Sequence, residues 1–413
     1  MRILFLNAYF TPELISFSHL ESDLIQRLIK QDNELSVLCP TPTRGVSSEV
    51  RSKYRKMKKE DLYDGRVKVT RFWAPREGKN PFSRAIRYFW CNFKQYLIGK
   101  KAENIDAIFA TSTPPTQGVL CAMVAKRLSK KYKRKVPIVY NLQDVFPDSL
   151  VTTGLAKKGS LLWKVGRKIE NYTYIHADKI IVISNAFKRN IMEKGVPEEK
   201  IIVIPNWVNV DNIKPVARKD NNLIEEYNIN PDKFIVVYAG NFGAAQGAHI
   251  IIKVAEMLKE QKDIQFVIFG GGTEFEAVKQ AAETMDNVIV DLLLPPDRVS
   301  EVYSLGDVAL ITCKKGVGNS GMPSKTWSIM ACNTPIIASF DKESELAEIL
   351  TEARAGVVVE PENERELAEA IIKMKEDRHE CNARDYVCQN ASAEVCTGKY
   401  ADVITKIASE YKR

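Results

Sequence analysis

Residues 233–247 read KFIVVYAGNFGAAQG, an apolar run that passes directly into a glycine-rich turn. Such a turn, after a strand and before a helix, allows a phosphate to approach the backbone closely, although glycines also make plain tight turns. The next apolar run, 264–272, ends in three glycines in the same way. Because ligands of open α/β sheets bind outside the carboxyl ends of the strands, the two turns predict a binding crevice there. The residues predicted to bind are Gly240, Asn241, Phe242, Gly243, Gln246, Gly270, Gly271 and Gly272.

A third stretch, SGMPSKTWSIMAC (320–332), places a lysine where a helix is predicted to begin. Pro323 suits the first helical turn, and Ser320 or Gly321 can cap it. Lys325 would then lie beside free backbone N–H groups, where a cation is unfavourable unless an anion binds. A solvated surface lysine is the ordinary alternative. The functional alternative is that a diphosphate is held by Met322, Pro323, Ser324 and Lys325.

Short apolar runs alternate with helical stretches along the whole chain, which predicts βαβ units and mainly parallel sheets. Prolines and asparagines near residues 205–218 mark a linker, after which the alternation restarts. The predicted fold class is α/β, with two doubly wound, Rossmann-like domains that face each other across a cleft. Their predicted bounds are 1–208 and 209–395, and a return to the first domain is considered for a last helix, 396–413.

The composition is typical of a globular protein of more than one domain: 413 residues, 45% hydrophobic and 27% charged. No apolar run approaches the roughly 18 to 20 residues of a transmembrane helix. The start, MRILFLNAYFTPE, is interpreted as a strand and not as a signal peptide. The 8 cysteines are scattered without a C-x-x-C pair, and there are only 4 histidines. We therefore expect a cytoplasmic protein with neither a metal nor a cofactor.

The charge is divided unevenly between the two halves. Residues 1–213 hold 37 of the 60 basic and 20 of the 52 acidic residues, and the remainder holds 23 and 32. A basic half can bind nucleic acid, an anionic membrane surface or a phosphorylated substrate. Dense basic clusters at 51–60 and 126–135 lie on either side of a predicted amphipathic helix, 81–101. Its apolar residues either lie in a membrane interface or face the domain core; they are Phe82, Ile86, Phe89, Trp90, Phe93 and Leu97.

Six motifs in order, NAYFTPE, QDVFPD, ISNAFK, IPNWVN, AGNFGAAQG and GMPSK, resemble the retaining glycosyltransferases of the GT-B fold, family four, over nearly the whole chain. The sequence is most similar to bacterial transferases of capsule and O-antigen synthesis, especially those that transfer N-acetyl-L-fucosamine from its UDP derivative. The resemblance implies a UDP-sugar donor, a polyprenyl-diphosphate-linked acceptor and retained anomeric configuration. It also implies a peripheral location at the inner face of the plasma membrane and no nucleic acid partner.

The sequence departs from the family pattern at the donor site. The arginine and lysine of the family's G-R-x4-K-G loop correspond to Asn241 and Gln246, which leaves Lys325 as the principal partner of the diphosphate. The two glutamates of the E-x7-E segment fall on Ser320 and Ser328. For the ribose contact Glu345 or Glu348 could substitute, although the favoured explanation of both is as acids on a helix surface.

The acceptor side is predicted from the first half of the chain. The family's acceptor-side histidine corresponds to Gln143, and Asp144 follows a buried strand, where a carboxylate can orient or deprotonate an acceptor hydroxyl. Asp144 is also explained as a turn residue. Phe10 and Glu13, after the first strand, are further acceptor-side candidates, although Pro12-Glu13 is also an ordinary helix start.

The sequence therefore predicts a metal-independent retaining glycosyltransferase in which Asp144 and Lys325 are the catalytic candidates. Two alternatives stay open. An isomerase like the UDP-GlcNAc 2-epimerases would share the two domains and act on one sugar nucleotide without a lipid. A non-enzymatic protein of the membrane surface would use the basic half and leave the glycine-rich crevice without a purpose. A nicotinamide-dependent dehydrogenase is disfavoured because no G-x-G-x-x-G follows a strand.

Overall fold

The computed structural model describes residues 1–13, 18–77, 81–152, 154–243, 245–318, 322–377 and 381–412. The chain divides into two compact units. Unit 1 comprises Met1–Pro205 together with Cys396–Arg413, and unit 2 comprises Asn206–Val395. The terminal segment is therefore part of the unit that contains the first strand.

Unit 1 is built on an eight-stranded sheet in the order β3-β4-β2-β1-β5-β6-β7-β8. Neighbouring strands run parallel except for the antiparallel pair β3 and β4. Apolar residues fill the central strands because helices cover both faces, as expected for a parallel sheet. The strands are β1 (Arg2–Leu6), β2 (Glu34–Pro40), β3 (Lys59–Leu62), β4 (Val67–Phe72), β5 (Ala107–Thr111), β6 (Ile138–Leu142), β7 (Lys179–Val182) and β8 (Ile201–Val203).

The helices of unit 1 mostly connect successive parallel strands. Several begin at a serine that caps the first turn: Ser47, Ser160 and Ser184 each accept a backbone N–H with the side-chain oxygen. The helices are α1 (Ser18–Lys30), α2 (Ser48–Lys56), α3 (Pro81–Gly99), α4 (Gln117–Tyr132), α5 (Asp148–Thr152), α6 (Leu161–His176) and α7 (Asn185–Glu193).

Unit 2 has a six-stranded, all-parallel sheet in the order β11-β10-β9-β12-β13-β14. The strand order reverses between β9 and β12, and this is the point of an open sheet where ligands bind. The strands are β9 (Phe234–Asn241), β10 (Ile264–Gly271), β11 (Val288–Leu292), β12 (Val308–Thr312), β13 (Ile336–Ser339) and β14 (Gly356–Val359). The helices are α8 (Leu223–Glu226), α9 (Ile250–Met257), α10 (Phe275–Ala282), α11 (Val299–Leu305), α12 (Lys325–Ala331), α13 (Glu345–Glu352), α14 (Glu364–Glu376) and α15 (Ala383–Asn390).

The last helix, α16 (Ala393–Glu410), joins the core of unit 1 through Tyr400. The Tyr400 side chain is fully buried, and its hydroxyl donates a hydrogen bond to Oδ1 of Asn141 at 3.1 Å. Its ring meets the ring of Phe109 edge-on, with 6.3 Å between centroids. A helix from the end of the chain thus covers strands from the middle of unit 1.

Helix α3 exposes several of the apolar side chains that the sequence assigned either to a membrane interface or to the domain core. Ile86, Phe89 and Phe93 are 51%, 76% and 46% exposed, so the alternative that these three residues face the domain core is wrong. Trp90 and Leu97 are half-buried, and Trp90 packs against the buried cluster of unit 1 that contains Cys91. The buried positions are instead Arg87, Cys91, Gln95 and Gly99, at spacings of four residues. The side chain of Phe82 lies outside the described residues. Within the part of the chain that the structure describes, no helix has the length and apolarity needed to cross a bilayer.

Two cations at the end of the second basic cluster form ion pairs. Arg134 pairs with Asp106 at 2.9 Å, and Lys135 pairs with Asp178. The carboxylate of Asp178 also accepts the backbone N–H of Ile138 at the start of β6. These cations therefore help to fix loops on the amino side of the sheet.

Helix α12 of unit 2 is anchored at its carboxyl end by Arg384. The guanidinium donates hydrogen bonds to the backbone carbonyls of Ala331, Ile213 and Val210, the last at 2.8 Å. A cation at this end of the helix is also favoured by the helix dipole. Arg384 thereby ties α12 to the segment that enters unit 2.

Replacing this anchor should destabilise unit 2. We expect Arg384→Met to lower the free energy of unfolding by about 1–3 kcal/mol, because three backbone carbonyls lose their donor. Urea titration followed by circular dichroism measures the change. The control, Arg365→Met, removes an arginine with an 86% exposed side chain that pairs with Glu369, and it should change stability by less than about 0.5 kcal/mol. Equal effects of the two substitutions would contradict the anchoring role.

Candidate functional site

A cavity of about 520 Å³ opens in unit 2 where strands β9 and β12 end and helix α12 begins. It lies at the reversal of strand order, on the carboxyl edge of the parallel sheet. Seven of the residues predicted to bind the donor line it: Gly240, Asn241, Gln246, Met322, Pro323, Ser324 and Lys325. The structure thus brings the first glycine-rich turn and the lysine segment to one cavity.

Lys325 is the first residue of α12, within the helical turn in which the sequence placed it. The helix begins two residues later than expected from Pro323, whose carbonyl accepts the N–H of Thr326 at 3.0 Å. The capping candidates Ser320 and Gly321 lie outside the described residues.

The ammonium of Lys325 is held against the end of β9. Its Nζ donates a hydrogen bond to the carbonyl oxygen of Ala239 at 3.2 Å and lies 3.9 Å from the centre of the Tyr238 ring. The side chain is half-buried, and removal of the ammonium from water lowers the pKa of Lys325 to about 7. No acidic group contributes to that shift. An anion bound in the cavity would supply the missing counter-charge and favour the protonated form.

Gly240 makes this position of the lysine possible. A Cβ at residue 240 would lie 2.8 Å from Nζ of Lys325 and 3.3 Å from the hydroxyl of Tyr238. The Tyr238 hydroxyl donates instead to the carbonyl of Asn241 at 3.1 Å. The glycine is therefore required by the close approach of the ammonium, in addition to the approach of a ligand.

Phe242, predicted to bind the donor, does not present its side chain to the cavity. Its side chain is fully buried between the rings of Tyr238 and Phe275, at centroid distances of 5.1 and 6.0 Å. Gly270 accommodates this ring, since a Cβ at residue 270 would lie 2.4 Å from it. The sequence signal that suggested a phosphate turn came partly from the packing of an aromatic ring.

The glycines at the end of β10 are not among the residues that line the cavity, in contrast to the prediction for Gly270, Gly271 and Gly272. Gly272 has a φ of +117° and lies against the side chain of Asn241, where a Cβ would be 2.2 Å from its Oδ1. These glycines shape the turn that supports the cavity wall. They do not form the wall itself.

Asn241 and Gln246 lie together across Gly243. The amide Nδ2 of Asn241 donates to Oε1 of Gln246 at 3.5 Å, and a Cβ at residue 243 would lie within 2.9 Å of both side chains. Gly243 itself is not among the lining residues. The two positions where the family carries cations are thus occupied by neutral amides that bind each other.

Sequence reasoning missed the apolar wall of the cavity. Six neighbouring residues after β11 and in α11 provide it: Leu293, Leu294, Pro295, Val299, Val302 and Tyr303. The signal was present in the run LLLPP, which continues a strand with apolar residues where a turn normally becomes polar. An apolar wall opposite a single cation fits a ligand with a flat ring at one end and a negative charge at the other.

A second missed feature is the loop after β12. Asp341 accepts the backbone N–H groups of Gly316 and Gly318 at 3.0 and 2.8 Å. A Cβ at residue 318 would lie 2.7 Å from the ring of Phe340, which also lines the cavity. Asp341 therefore fixes the loop that forms the side of the cavity near Val317.

Neither candidate for the missing ribose contact lines the cavity. Glu345 is the first residue of α13 and is half-buried, and Glu348 is exposed one turn later. Ser328, at the second glutamate position of the family, lies half-buried in α12. The prediction of a donor contact for Glu345 is not supported by its position.

In unit 1, Gln143 and Asp144 follow the carboxyl end of β6. Both backbone N–H groups donate to Oγ of Ser112, at 3.0 and 3.2 Å, and the Gln143 amide donates to Oδ1 of Asn141. The exposed carboxylate of Asp144 accepts the hydroxyl of Ser149 at 2.9 Å. The pKa of Asp144 is raised above its usual value, chiefly because surrounding protein atoms partly remove the carboxylate from water. The Ser149 hydrogen bond opposes this rise and the charge of Asp148 adds to it. Its position at a strand end, open to solvent, suits a carboxylate that receives a ligand hydroxyl.

The other two acceptor-side candidates are structural. Phe10 is buried, with the guanidinium of Arg71 lying 5.7 Å from its ring centre. Glu13 is buried as well, and its Oε1 accepts the backbone N–H groups of Thr43 and Arg44 at 2.7 and 2.9 Å. Both side chains are thus buried within unit 1, and their contact with an acceptor stays a prediction.

The comparisons with known proteins agree with this architecture. A family model described as glycosyl transferases group 1 matches residues 219–393, and one described as glycosyltransferase family 4 matches residues 22–212. Together they account for most of both units. The chain is a GT-B glycosyltransferase.

Individual relatives of the glycosyltransferase are distant. It is 28% identical to WbjE of Pseudomonas aeruginosa, assigned as a glycosyltransferase, over 83% of this chain and 85% of that protein. It is 25% identical to WcaI of Escherichia coli strain K12, assigned as a colanic acid biosynthesis glycosyl transferase, over 94% and 95%. The structure of Anabaena HepE in complex with UDP-glucose matches with a TM-score of 0.66 at 17% identity, over 98% and 100% of the two chains.

The role of Gly240 is testable with UDP as the probe. We expect Gly240→Ala to weaken UDP binding roughly ten- to a hundredfold, because the new methyl group displaces the lysine that forms a charge-assisted contact. Gly271→Ala is the matched control, since its Cβ would meet only Leu293, at 3.9 Å. Isothermal titration calorimetry measures both affinities. An equal loss in the control would instead favour direct contact of the triple glycine with the ligand.

Proposed function

We propose that the protein transfers a sugar from a UDP-sugar to a hydroxyl of a polyprenyl-diphosphate-linked saccharide during synthesis of a bacterial surface polysaccharide. The observation that carries the proposal is the Lys325 ammonium, held without an acidic partner among the described residues that surround it, in a cavity at the strand ends of unit 2. The names of WcaI, assigned to colanic acid, and of HepE, bound to UDP-glucose, support the class of product and donor.

The donor nucleotide fits the two halves of the cavity. The apolar wall near Val302 and Tyr303 receives the base, and Lys325 with Ser324 meets the diphosphate. In the reaction the bond between the anomeric carbon and the phosphate oxygen breaks, and UDP leaves with the electron pair. Lys325 stabilises the negative charge that grows on this leaving group. No step of this account requires a metal ion.

Asp144 is the proposed acceptor-side carboxylate. It would accept a hydrogen bond from the attacking hydroxyl and take its proton as the new glycosidic bond forms. Gln143, beside it, would help to orient the acceptor sugar. Retention of configuration and N-acetyl-L-fucosamine as the sugar are the finer parts of the proposal, and they derive from the family resemblance.

Contact with an anionic membrane surface is part of the same proposal. Ile86, Phe89 and Phe93 in α3 have exposed side chains. A second exposed apolar stripe lies on α6 and includes Leu161, Val165 and Ile175. Lys164 and Lys168 lie exposed on α6 beside that stripe. Apolar side chains with neighbouring lysines on surface helices suit an interface with anionic lipid.

The depressed pKa of Lys325 gives the donor site a pH dependence. With a pKa of about 7, the unliganded lysine loses its charge as the pH rises, and the bound diphosphate restores it. UDP-glucose affinity should therefore be nearly constant below the pKa and fall by up to about tenfold per pH unit above it. At pH 8 calorimetry in buffers of different ionisation enthalpy should detect proton uptake on binding.

Lys325→Met should remove both the pH dependence and the proton uptake. The matched control is Lys315→Met, an exposed lysine on the neighbouring loop that does not line the cavity. It should retain both properties. A pH-independent affinity in the unaltered protein would contradict the counter-charge role of Lys325.

Transfer itself is tested with a panel of UDP-sugars and a polyprenyl-diphosphate-linked monosaccharide. We expect UDP release that depends on the lipid, and a loss of kcat of roughly 10² or more in Asp144→Asn with unchanged UDP affinity. Consumption of the donor without the lipid would favour the epimerase-like alternative. Binding to vesicles without any turnover of the panel would favour the non-enzymatic one.

A further inference from the structure

A second cavity, of about 280 Å³, lies within unit 1. It is bordered by Thr41 and Thr43, just after β2, and by Trp73 and Arg76, just after β4. These strands are parallel neighbours, so their carboxyl ends open at one place on the sheet edge. The cavity therefore lies at the carboxyl edge of the sheet, where open α/β sheets bind ligands, although the strand order of unit 1 reverses elsewhere, between β1 and β5.

Helix α2 covers this cavity with one polar face. Ser48, Arg51, Ser52 and Arg55 all line it, at helical spacings of i, i+3, i+4 and i+7. In the first half of the basic run 51–60, helix α2 thus places its charged side chains on different faces. Two of its arginines line the cavity. Lys53 and Lys56, on the same helix, are exposed and do not line it.

The three arginines of the cavity have no counter-charge in the described structure. Arg51, Arg55 and Arg76 form no ion pair among the described residues, and none of the cavity-lining residues is acidic. Nε of Arg51 is buried without a hydrogen-bond partner. By contrast, the nearby Arg71 is paired with Glu60 at 2.9 Å.

A fourth cation lies behind the wall of the cavity. Arg87 is fully buried, its Nη2 donates to Oγ1 of Thr43 at 3.2 Å, and its guanidinium lies 4.9 Å from the centre of the Tyr9 ring. Its Nε and Nη1 have no hydrogen-bond partner among the described residues. The carboxylate of Glu13 binds the backbone N–H of the same threonine and partly offsets this charge. The carboxylates of Glu13 and Glu77 both lie near Arg87 and offset its charge. The positive charge of the cavity therefore comes from the lining residues Arg51, Arg55 and Arg76.

An apolar aromatic surface begins at the rim of the cavity. Trp73, 53% exposed, meets Trp90 edge-on at 5.8 Å, and Trp90 lies 6.4 Å from Phe93. Phe89, 76% exposed, belongs to the same helix. An anion pocket that continues into exposed aromatic side chains suits an amphiphile with a phosphorylated head and an apolar chain.

We propose that this pocket binds the diphosphate of the lipid-linked acceptor, with the first part of the polyprenyl chain on Trp73 and the aromatic face of α3. The inference rests on the proposed function, whose acceptor carries such a diphosphate. Arginine is suited to this task because its planar guanidinium binds phosphate oxygens in pairs. The cavity holds the volume of about nine water molecules at roughly 30 Å³ each, which leaves room for two linked phosphates.

The test compares two charge-matched double variants of the full chain. Arg51→Gln/Arg55→Gln removes two cations from the pocket, and Lys53→Gln/Lys56→Gln removes two from the other side of the same helix. The acceptor KM of the arginine variant should rise about tenfold or more, the effect expected from losing at least one charge-assisted hydrogen bond. The donor KM should not change, and the lysine variant should stay within about twofold for both substrates.

Two further measurements show whether the change in acceptor KM arises from the diphosphate of the acceptor. An acceptor with the same sugar on an uncharged alkyl chain should respond equally in all three proteins, because it brings no diphosphate to the pocket. Titration with a short-chain polyprenyl diphosphate, and separately with inorganic pyrophosphate, measures binding without any turnover. We expect the lipid diphosphate to bind more tightly than pyrophosphate, and to bind more weakly to the arginine variant alone.

The outcomes distinguish this inference from the proposed function. Unchanged acceptor KM in the arginine variant overturns the inference and leaves the transferase intact. Binding of pyrophosphate that equals or exceeds that of the lipid diphosphate also overturns it, in favour of a site for a soluble phosphorylated ligand. If the unaltered protein shows no lipid-dependent turnover, the proposed function fails, and the direct titration of the lipid diphosphate alone then decides whether the pocket binds it.

Discussion

The approach of one ammonium group to the end of one strand organises the site in unit 2. Lys325 can reach the carbonyl of Ala239 only because residue 240 has no side chain. The position is electrostatically unfavourable, since a cation at the start of a helix meets the positive end of its dipole and is removed from water. The Tyr238 ring offsets part of that cost. At the carboxyl end of α12 the charge is favourable, because the Arg384 cation there meets the negative end of the helix dipole.

The cavities of the two units differ in the side chains that they offer to an anion. The cavity of unit 2 combines a long apolar wall with a single, partly desolvated lysine, which suits the base and diphosphate proposed for the donor. The pocket of unit 1 uses several arginines with fixed charge and no apolar wall of that kind, although an aromatic surface begins at its rim. A lysine whose charge depends on its ligand and an arginine cluster whose charge does not are physically distinct solutions. The uneven charge of the sequence is thus partly explained by the unit 1 pocket.

The sequence predicted those features that follow from local pattern. Alternating strands and helices gave the fold class, and the lysine segment was correctly placed at a helix start beside the first glycine-rich turn. The prediction failed where a glycine makes room for a neighbouring protein side chain and not for a ligand. Gly270 makes room for the ring of Phe242, and no local pattern distinguishes that from room for a phosphate. Similarly, nothing in the spacing of α3 revealed that a fully buried Arg87 would take the inner face and leave Phe89 and Phe93 exposed.

The acceptor-side predictions show a related limit. Glu13 had the chemistry of a ligand-binding acid, but two backbone N–H groups from a loop some 30 residues away use it instead. Such a partner is fixed by tertiary structure and leaves no trace near residue 13. The pocket of unit 1 was missed for the same reason, because the arginines of α2 become a site only when the ends of β2 and β4 close the opposite wall.

Helix α16 has a consequence for how the protein is made. Unit 1 contains the first strand of the chain and also a helix that is synthesised after the whole of unit 2. Until that helix leaves the ribosome, the surface around Asn141 and Phe109 that Tyr400 covers stays open, whereas unit 2 is continuous and can complete its own core. Unit 1, although its first strand is translated before unit 2, can therefore complete its packing only after unit 2 has been synthesised.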